Sequence, residues 1–195
     1  MSRRRRAALW AVAGCAFGAA CAEFRAYASP QLSSTLIVGV AGNGDRSELW
    51  SSTGFAAGVR GELLLGRSRD ADFGIGPYVE TLTTTSFSDI QLGGGAVFLV
   101  PVHPYLPLTL STGAFAGHDA RGWYPGLAGE LFWGSHGYNY GSLYALTAGV
   151  FVGARYGLGA SNDVSLLIGA RIDLELVALP FVLLWNAIRG GDPAR

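Results

Sequence analysis

Lysine is absent from this 195-residue chain, so all 14 basic residues are arginine. That excludes a phosphate-binding loop ending in lysine. Charge of either sign is scarce. Only 14% of residues are charged, against roughly 25% in soluble proteins. The formal net charge is zero, so bulk electrostatics give no pull toward nucleic acid. The only cysteines are Cys15 and Cys21. Everything after Cys21 therefore lacks disulfides, thiolate metal sites and thiol nucleophiles. Neither H-E-x-x-H nor G-x-S-x-G occurs, which removes two common hydrolase signatures. The apolar run Ala7–Ala22 is short for a membrane-spanning helix, which needs about 20 residues.

What is present begins with a leader. Arg3 to Arg6 form a basic run, Ala7 to Ala22 an uncharged apolar stretch, and Ala26-Tyr27-Ala28 a small-residue site before Ser29-Pro30. This is the order of a secretory signal peptide. We place the signal peptide at residues 1–28, with Ala20-Cys21-Ala22 as a second cleavage candidate and an uncleaved anchor as the alternative. Val12-Ala13-Gly14-Cys15 resembles a lipoprotein box but would leave a very short apolar region before it. Cleavage after Ala28 leaves 9 Arg against 13 acids, a net charge of −4.

From there to the C-terminal region, segments of ten or so residues alternate in polarity between turn-forming residues, the signature of a transmembrane barrel. The expected strands are Thr35–Ala41, Thr53–Gly66, Phe73–Thr84, Ile90–Val100, Leu106–Gly117, Trp123–Trp133, Leu143–Tyr156 and Val164–Leu176. Side chains of a strand alternate between two faces, so the charges can be assigned. Arg60 and Glu62 share a face opposite Phe55, Ala57, Val59, Leu63 and Leu65. Glu80 lies opposite Ile75, Pro77 and Val79. Glu130 lies opposite Trp123, Leu127, Leu131 and Trp133. Arg155 lies opposite Tyr144, Leu146, Val150 and Val152. Arg171, Asp173 and Glu175 lie opposite Leu166, Ile168, Ile172 and Leu174. An Arg on the lipid side at mid-bilayer costs about 2–4 kcal/mol, which explains the segregation. The first, fourth and fifth strands are less regular, because Ile37, Val97 and Leu99 interrupt the polar face. A soluble barrel with an apolar interior would alternate similarly, but its Gly-, Ser- and Thr-rich exterior would be poor for solubility.

Trp123 and Trp133 share a face ten residues apart, and Tyr144 and Tyr156 are similarly placed. A tilted strand climbs about 2.5 Å per residue, so each pair would stand about 25 Å apart, the height of the band between aromatic girdles. These four residues are the expected girdle.

The chain thus resembles the small eight-stranded bacterial outer-membrane barrels of the OmpA and OmpX type over roughly Thr35 to Leu176. The resemblance is architectural. Leu167, Gly169, Ile172 and Leu174 occupy the positions of the family's last-strand insertion signal, with Leu167 departing from its polar preference. Family members usually end in an aromatic residue at that strand; here residues 177–195 follow. The resemblance implies an all-β, antiparallel transmembrane barrel over 29–176, outer-membrane lipid and the barrel-insertion machinery as partners, a monomer, and no cofactor or metal. The extension Val177–Trp185 is too short to span as a helix. An interfacial helix of two to three turns is expected, with a plug or a continued strand as alternatives; Pro180 opposes the last.

Three histidines remain. His118-Asp119 and Ser135-His136 hold residue types used in nucleophilic catalysis, but strand counting puts them at opposite ends of the barrel. The expected function is non-enzymatic, structural or surface-directed. The inward charges Arg60, Glu62, Glu80, Glu130, Arg155, Arg171, Asp173 and Glu175 offer an alternative, a narrow channel gated by ion pairs. A lipid-modifying enzyme is the third reading. A lumen filled with side chains favours the first, and a continuous wet path the second.

Overall fold

The structure is a computed structural model describing residues 30–44, 48–69, 71–84, 89–137, 144–158 and 163–189. The expected signal peptide lies outside the described residues.

Eight strands form one closed antiparallel barrel in chain order. They are β1 (Gln31–Gly44), β2 (Ser52–Leu64), β3 (Gly74–Thr84), β4 (Asp89–Val100), β5 (Leu108–Asp119), β6 (Gly122–His136), β7 (Thr147–Gly157) and β8 (Val164–Asp173). Closure is between first and last strands, with Thr35 opposite Asp173 and Gly44 opposite Val164. No strand edge is left unpaired, so no backbone polar row is exposed. Strands of 10 to 15 residues can cross a bilayer when tilted. The near end is where β1 begins and β8 finishes; the far end is the opposite mouth.

The strand count and order agree with the sequence, while several boundaries move. The first strand starts at Gln31 rather than Thr35, because Gln31, Ser33 and Thr35 alternate inward with Leu32 and Leu36 outward. The fifth starts at Leu108, after the turn containing Pro107. The seventh starts at Thr147 rather than Leu143, which lies outside the described residues. The eighth stops at Asp173, and the barrel therefore ends three residues before the expected Leu176.

The stop is a helix, α1 (Leu174–Ile188). Asp173 is its N-cap: its Oδ1 accepts the Glu175 amide at 2.8 Å, satisfying a donor that has no intrahelical partner. The helix is longer than the expected two to three turns and runs through Pro180.

Every outward strand position is free of charge, from Leu32 on β1 to Ile172 on β8. Val79, Leu92, Trp123, Val150, Val152 and Ile168 are each more than half exposed. The residues that broke the polar pattern, Ile37, Val97 and Leu99, point inward and are buried. The physical reason is the narrow lumen: inside eight strands the space is filled by side chains rather than water, so an apolar inward residue packs instead of meeting solvent. Ile37 joins Ala41, Ala56, Leu82, Phe132, Phe151 and Leu167. Val97 and Leu99 join Leu64 and Tyr78.

Glycine pairs make room for the large inner rings. Gly134 faces Gly149 across β6 and β7, and a Cβ on either would lie 2.8 Å from Phe132 Cζ. Gly95 faces Gly113 across β4 and β5, with Tyr78 Oη over Gly113. Gly39 faces Gly169 across β1 and β8, and Phe151 lies over Gly169. Aromatic rings thus cover glycines that would otherwise leave holes in the wall.

Candidate functional site

The lumen holds the main concentration of charge. β2 presents Arg60 and Glu62 inward at a two-residue spacing, the period of a strand. Arg60 uses its whole guanidinium: Nε meets Glu62 Oε1 at 2.5 Å, Nη1 meets Glu80 Oε2 at 3.3 Å, and Nη2 donates to Ser111 Oγ at 2.5 Å. Its face rests on the Tyr78 ring, 3.7 Å from the centroid. Glu80, from β3, takes Arg155 Nη2 at 2.6 Å on its other oxygen. Glu62 takes Arg171 Nη1 at 2.6 Å, and Arg171 also pairs with Glu130. The result is one chain of alternating sign: Glu130, Arg171, Glu62, Arg60, Glu80, Arg155.

That chain contains three cations and three carboxylates, so it is neutral. Its two ends lie on β6 and β7, and it engages β2, β3 and β8 between them. At the Arg155 end it continues through polar groups. Arg155 Nη1 donates to Gln91 Oε1 at 2.8 Å, and Gln91 Nε2 donates to Asp89 Oδ2 at 2.6 Å. Tyr124 Oη donates to the other Asp89 oxygen at 2.8 Å. The sequence did not single out Ser111, Gln91 or Tyr78. Their inward parity was legible, but uncharged residues gave no reason to choose them.

Of the eight expected lumen charges, six are brought together and two are not. Asp173 points inward and is fully buried, yet no Arg reaches it. Besides the Glu175 amide, it accepts Tyr144 Oη at 2.9 Å and the Thr147 amide at 3.1 Å. It is a capping residue at the near rim. Glu175 lies in the first turn of α1 and is exposed. The expectation that it points into the lumen is incorrect, because the strand ends before it. These two departures turn three Arg against five acids into a balanced set.

The expected girdle also divides. Trp123 and Trp133 are exposed at opposite ends of β6. Tyr156 is half-buried on the outward face of β7. Tyr144 precedes β7 and is half-buried at the near rim; it pairs with Leu32 through an isolated bridge, and its hydroxyl contacts Ser34 Oγ at 2.8 Å as well as Asp173. The buried Asp173 carboxylate draws it into the rim.

Near-end closure comes from a turn residue absent from the sequence reading. Arg67, in the segment joining β2 to β3, is fully buried. Its Nη1 donates to Gln31 Oε1 and to the His136 carbonyl, both at 3.2 Å. Leu64, Val97 and Leu99 pack in the same half of the lumen. Between the ion-pair chain and Ile37, Leu82, Phe151 and Leu167 lies a void of about 10 Å³, room for one water.

The far mouth is different. An open cup of about 480 Å³ is lined by Asn43, Ser52, Asp89, Asp119, Arg121 and Asp163 among others. At its rim Arg121 bridges Asp119 at 2.7 Å and Asp163 at 2.5 Å. The two carboxylates raise the Arg121 pKa above its ordinary value. The bridge ties the β5–β6 hairpin to the start of β8.

His136 is buried at the near end, with Nδ1 3.2 Å from Thr147 Oγ1. His118 faces outward at the far end against Trp123, with ring centroids 4.9 Å apart. His103 lies exposed in the segment between β4 and β5. The three do not form one site. Among the described residues no cluster of His, Cys, Asp and Glu could hold a metal.

No family model matches the chain, and no curated protein matches it. Among solved structures it is similar to a designed transmembrane β-barrel, at 14% identity over 71% of this chain and 94% of that one, with a TM-score of 0.38. It is also similar to the Yersinia pestis outer membrane protein Ail in a phospholipid bilayer nanodisc, at 11% identity over 72% and 98%, with a TM-score of 0.39. Such values carry no argument about function. The architecture rests on this chain's own strand pairing: a closed, eight-stranded antiparallel barrel, as its alternation pattern implies.

Proposed function

We propose that the protein is an integral barrel of the bacterial outer membrane with a structural or surface role, and that its lumen does not conduct. The observation that carries the membrane reading is the outer wall. Outward strand positions hold no Asp, Glu or Arg, and large apolar side chains there are widely exposed. A water-soluble surface carries about 25–35% charged residues; this one suits hydrocarbon. With an even strand count both ends face the periplasm, so the near end is periplasmic and the polar cup opens outward. The cup is the surface offered to the exterior.

The filled lumen supports the non-conducting reading over the gated channel. Six inward charges joined in one ion-pair network, and a near end packed by Arg67, Leu64, Val97 and Leu99, favour a lumen without a continuous path. The separation of His118 from His136 gives no support to an enzyme.

The test is gel migration of the full chain after signal removal, refolded in detergent, with and without boiling. A compact band that shifts on heating supports the membrane barrel. A protein that stays soluble without detergent and shows no shift would overturn it in favour of a soluble barrel. Val152→Arg sharpens the result. Val152 is exposed halfway along β7, so the change is nearly neutral in water but costs about 2–4 kcal/mol at mid-bilayer.

A further inference from the structure

Among the described residues nothing covers the surface of helix α1. Leu176, Leu179, Phe181, Val182, Leu183, Leu184, Trp185 and Ile188 are all exposed. Phe181 to Trp185 are five consecutive residues, and at 100° per residue they cover the whole circumference of a helix. Glu175 and Asn186 are the only polar residues between Leu174 and Ile188. Helices that lie on a membrane surface keep one strongly polar face. One that is apolar all round is suited to complete burial. The amphipathic interfacial helix expected from the sequence therefore does not fit.

We infer that α1 is immersed on all sides in the hydrocarbon of the leaflet at the barrel's near end. This rests on the membrane reading above. The occupant is argued from continuity, length and the end groups. No linker separates β8 from α1, so the helix leaves the wall directly beside β1 and β8, whose outward residues form the apolar belt. Its 15 residues measure about 22 Å. That is too short to cross the roughly 30 Å hydrocarbon and longer than one leaflet of about half that. A course within one leaflet, close to parallel with the membrane plane and below the headgroups, satisfies both limits. At its far end Arg189 lies over the Trp185 ring, 4.3 Å from the centroid. A Trp with an Arg beside it is the pairing expected where a helix regains the headgroups. Charge is thus confined to the two ends, Glu175 at the barrel rim and Arg189 beyond the last turn.

The experiment uses the full chain after signal removal, refolded into phosphatidylcholine vesicles containing lipids brominated either near the headgroup or deep in the acyl chains. Trp185 is followed in a variant with Trp50, Trp123 and Trp133 changed to Phe. Trp123 and Trp133 are each followed alone in the same way. Two more single-Trp variants, with Trp50, Trp123, Trp133 and Trp185 all changed to Phe, carry Phe181→Trp or Leu183→Trp, which stand about 200° apart on the helix. Roughly two-fold or greater quenching by bromolipid at Trp185, Phe181→Trp and Leu183→Trp alike is expected for a helix buried among acyl chains. Quenching at only one of the opposed positions means a helix lying on the surface and overturns the inference. So does quenching at Trp123 and Trp133 but not on the helix, with the membrane reading intact. Protection of the helix from both bromolipid and aqueous acrylamide, with cross-linking between copies, would assign the surface to a second chain and also overturn it. Absence of lipid quenching at every position would instead remove the membrane reading. Should a multiple variant not refold, the differences in emission between Trp185→Phe and the same chain carrying Phe181→Trp or Leu183→Trp isolate the two opposed positions and decide the same question.

Discussion

At the scale of single residues, the interior is ordered by mutual need. Arg171 carries two carboxylates, Glu62 and Glu130, and has no solvent-exposed side-chain surface. Burying such charges is favourable only while each is paired. Arg171→Met is therefore expected to destabilise the refolded barrel by about 3–5 kcal/mol, because it leaves Glu130 without a cation and Glu62 with Arg60 alone. Adding Glu130→Gln leaves two cations and two carboxylates in the network and is expected to restore much of the loss, since neutral replacements for buried ion networks are often tolerated. Urea unfolding in detergent measures both; a double variant as weak as the single one would show that Arg171 acts through packing alone. The wall glycines give a second residue-scale prediction. A Cβ on Gly134 would sit 2.4 Å from the Ala148 carbonyl oxygen and 2.5 Å from Gly149 Cα. Neither backbone atom can move aside freely, so Gly134→Ala is expected to cost about 1–3 kcal/mol. On the same strand, Gly129 faces outward and its nearest neighbour to an added Cβ is 4.0 Å away. Gly129→Ala is the matched control, expected within about 0.5 kcal/mol of the native chain.

At the scale of elements, eight strands were legible because polarity at a period of two is a direct record of which face meets which environment. Charges made that record sharp on β2, β3, β6, β7 and β8. The less regular strands were blurred by one assumption, that inward means polar. In a barrel this narrow inward means packed, and Ile37, Val97 and Leu99 obey that rule. The junction of β8 and α1 was misread for another reason. Arg171, Asp173, Glu175 continues the alternation perfectly, and only the capping chemistry of Asp173 with the helix-forming sequence Leu174 to Leu179 stops it. Asp173 therefore holds the junction: it caps α1 and receives Tyr144 and the Thr147 amide. Asp173→Ala is expected to lose about 1 kcal/mol from the cap, with a further cost from the unsatisfied buried Thr147 amide. Hydrogen exchange in the first turn of α1 and at Thr147 should accelerate while amides in the middle of β2 and β3 stay protected. Asp173→Asn keeps an acceptor and should recover most of the protection at Glu175.

At the scale of the whole molecule, the lumen is shut in more than one place. The ion-pair chain crosses its middle, Ile37, Leu82, Phe151 and Leu167 pack beside it, and Arg67 with Gln31, Leu64, Val97 and Leu99 fills the near end. A polar route does run inward from the cup, through Asp89, Gln91 and Arg155 to Glu80, its members hydrogen-bonded to one another. Sequence parity could identify the charges and not this closure, because closure depends on which side chains meet across the barrel and on a turn residue, Arg67, folded back into it. The native chain is accordingly expected to show no unitary conductance in a planar bilayer. The neutral pair change Glu80→Ser with Arg155→Ser should remain silent too, since it widens the middle while the near end stays filled. Only with Arg67→Ser added is a small fluctuating conductance expected, because the polar route then has space at both its middle and the near end. Conductance in the native chain would mean that the pairs exchange readily enough to admit ions, and conductance in the double variant would mean that the near end does not close the lumen. The gated channel would then describe this barrel better than the plug.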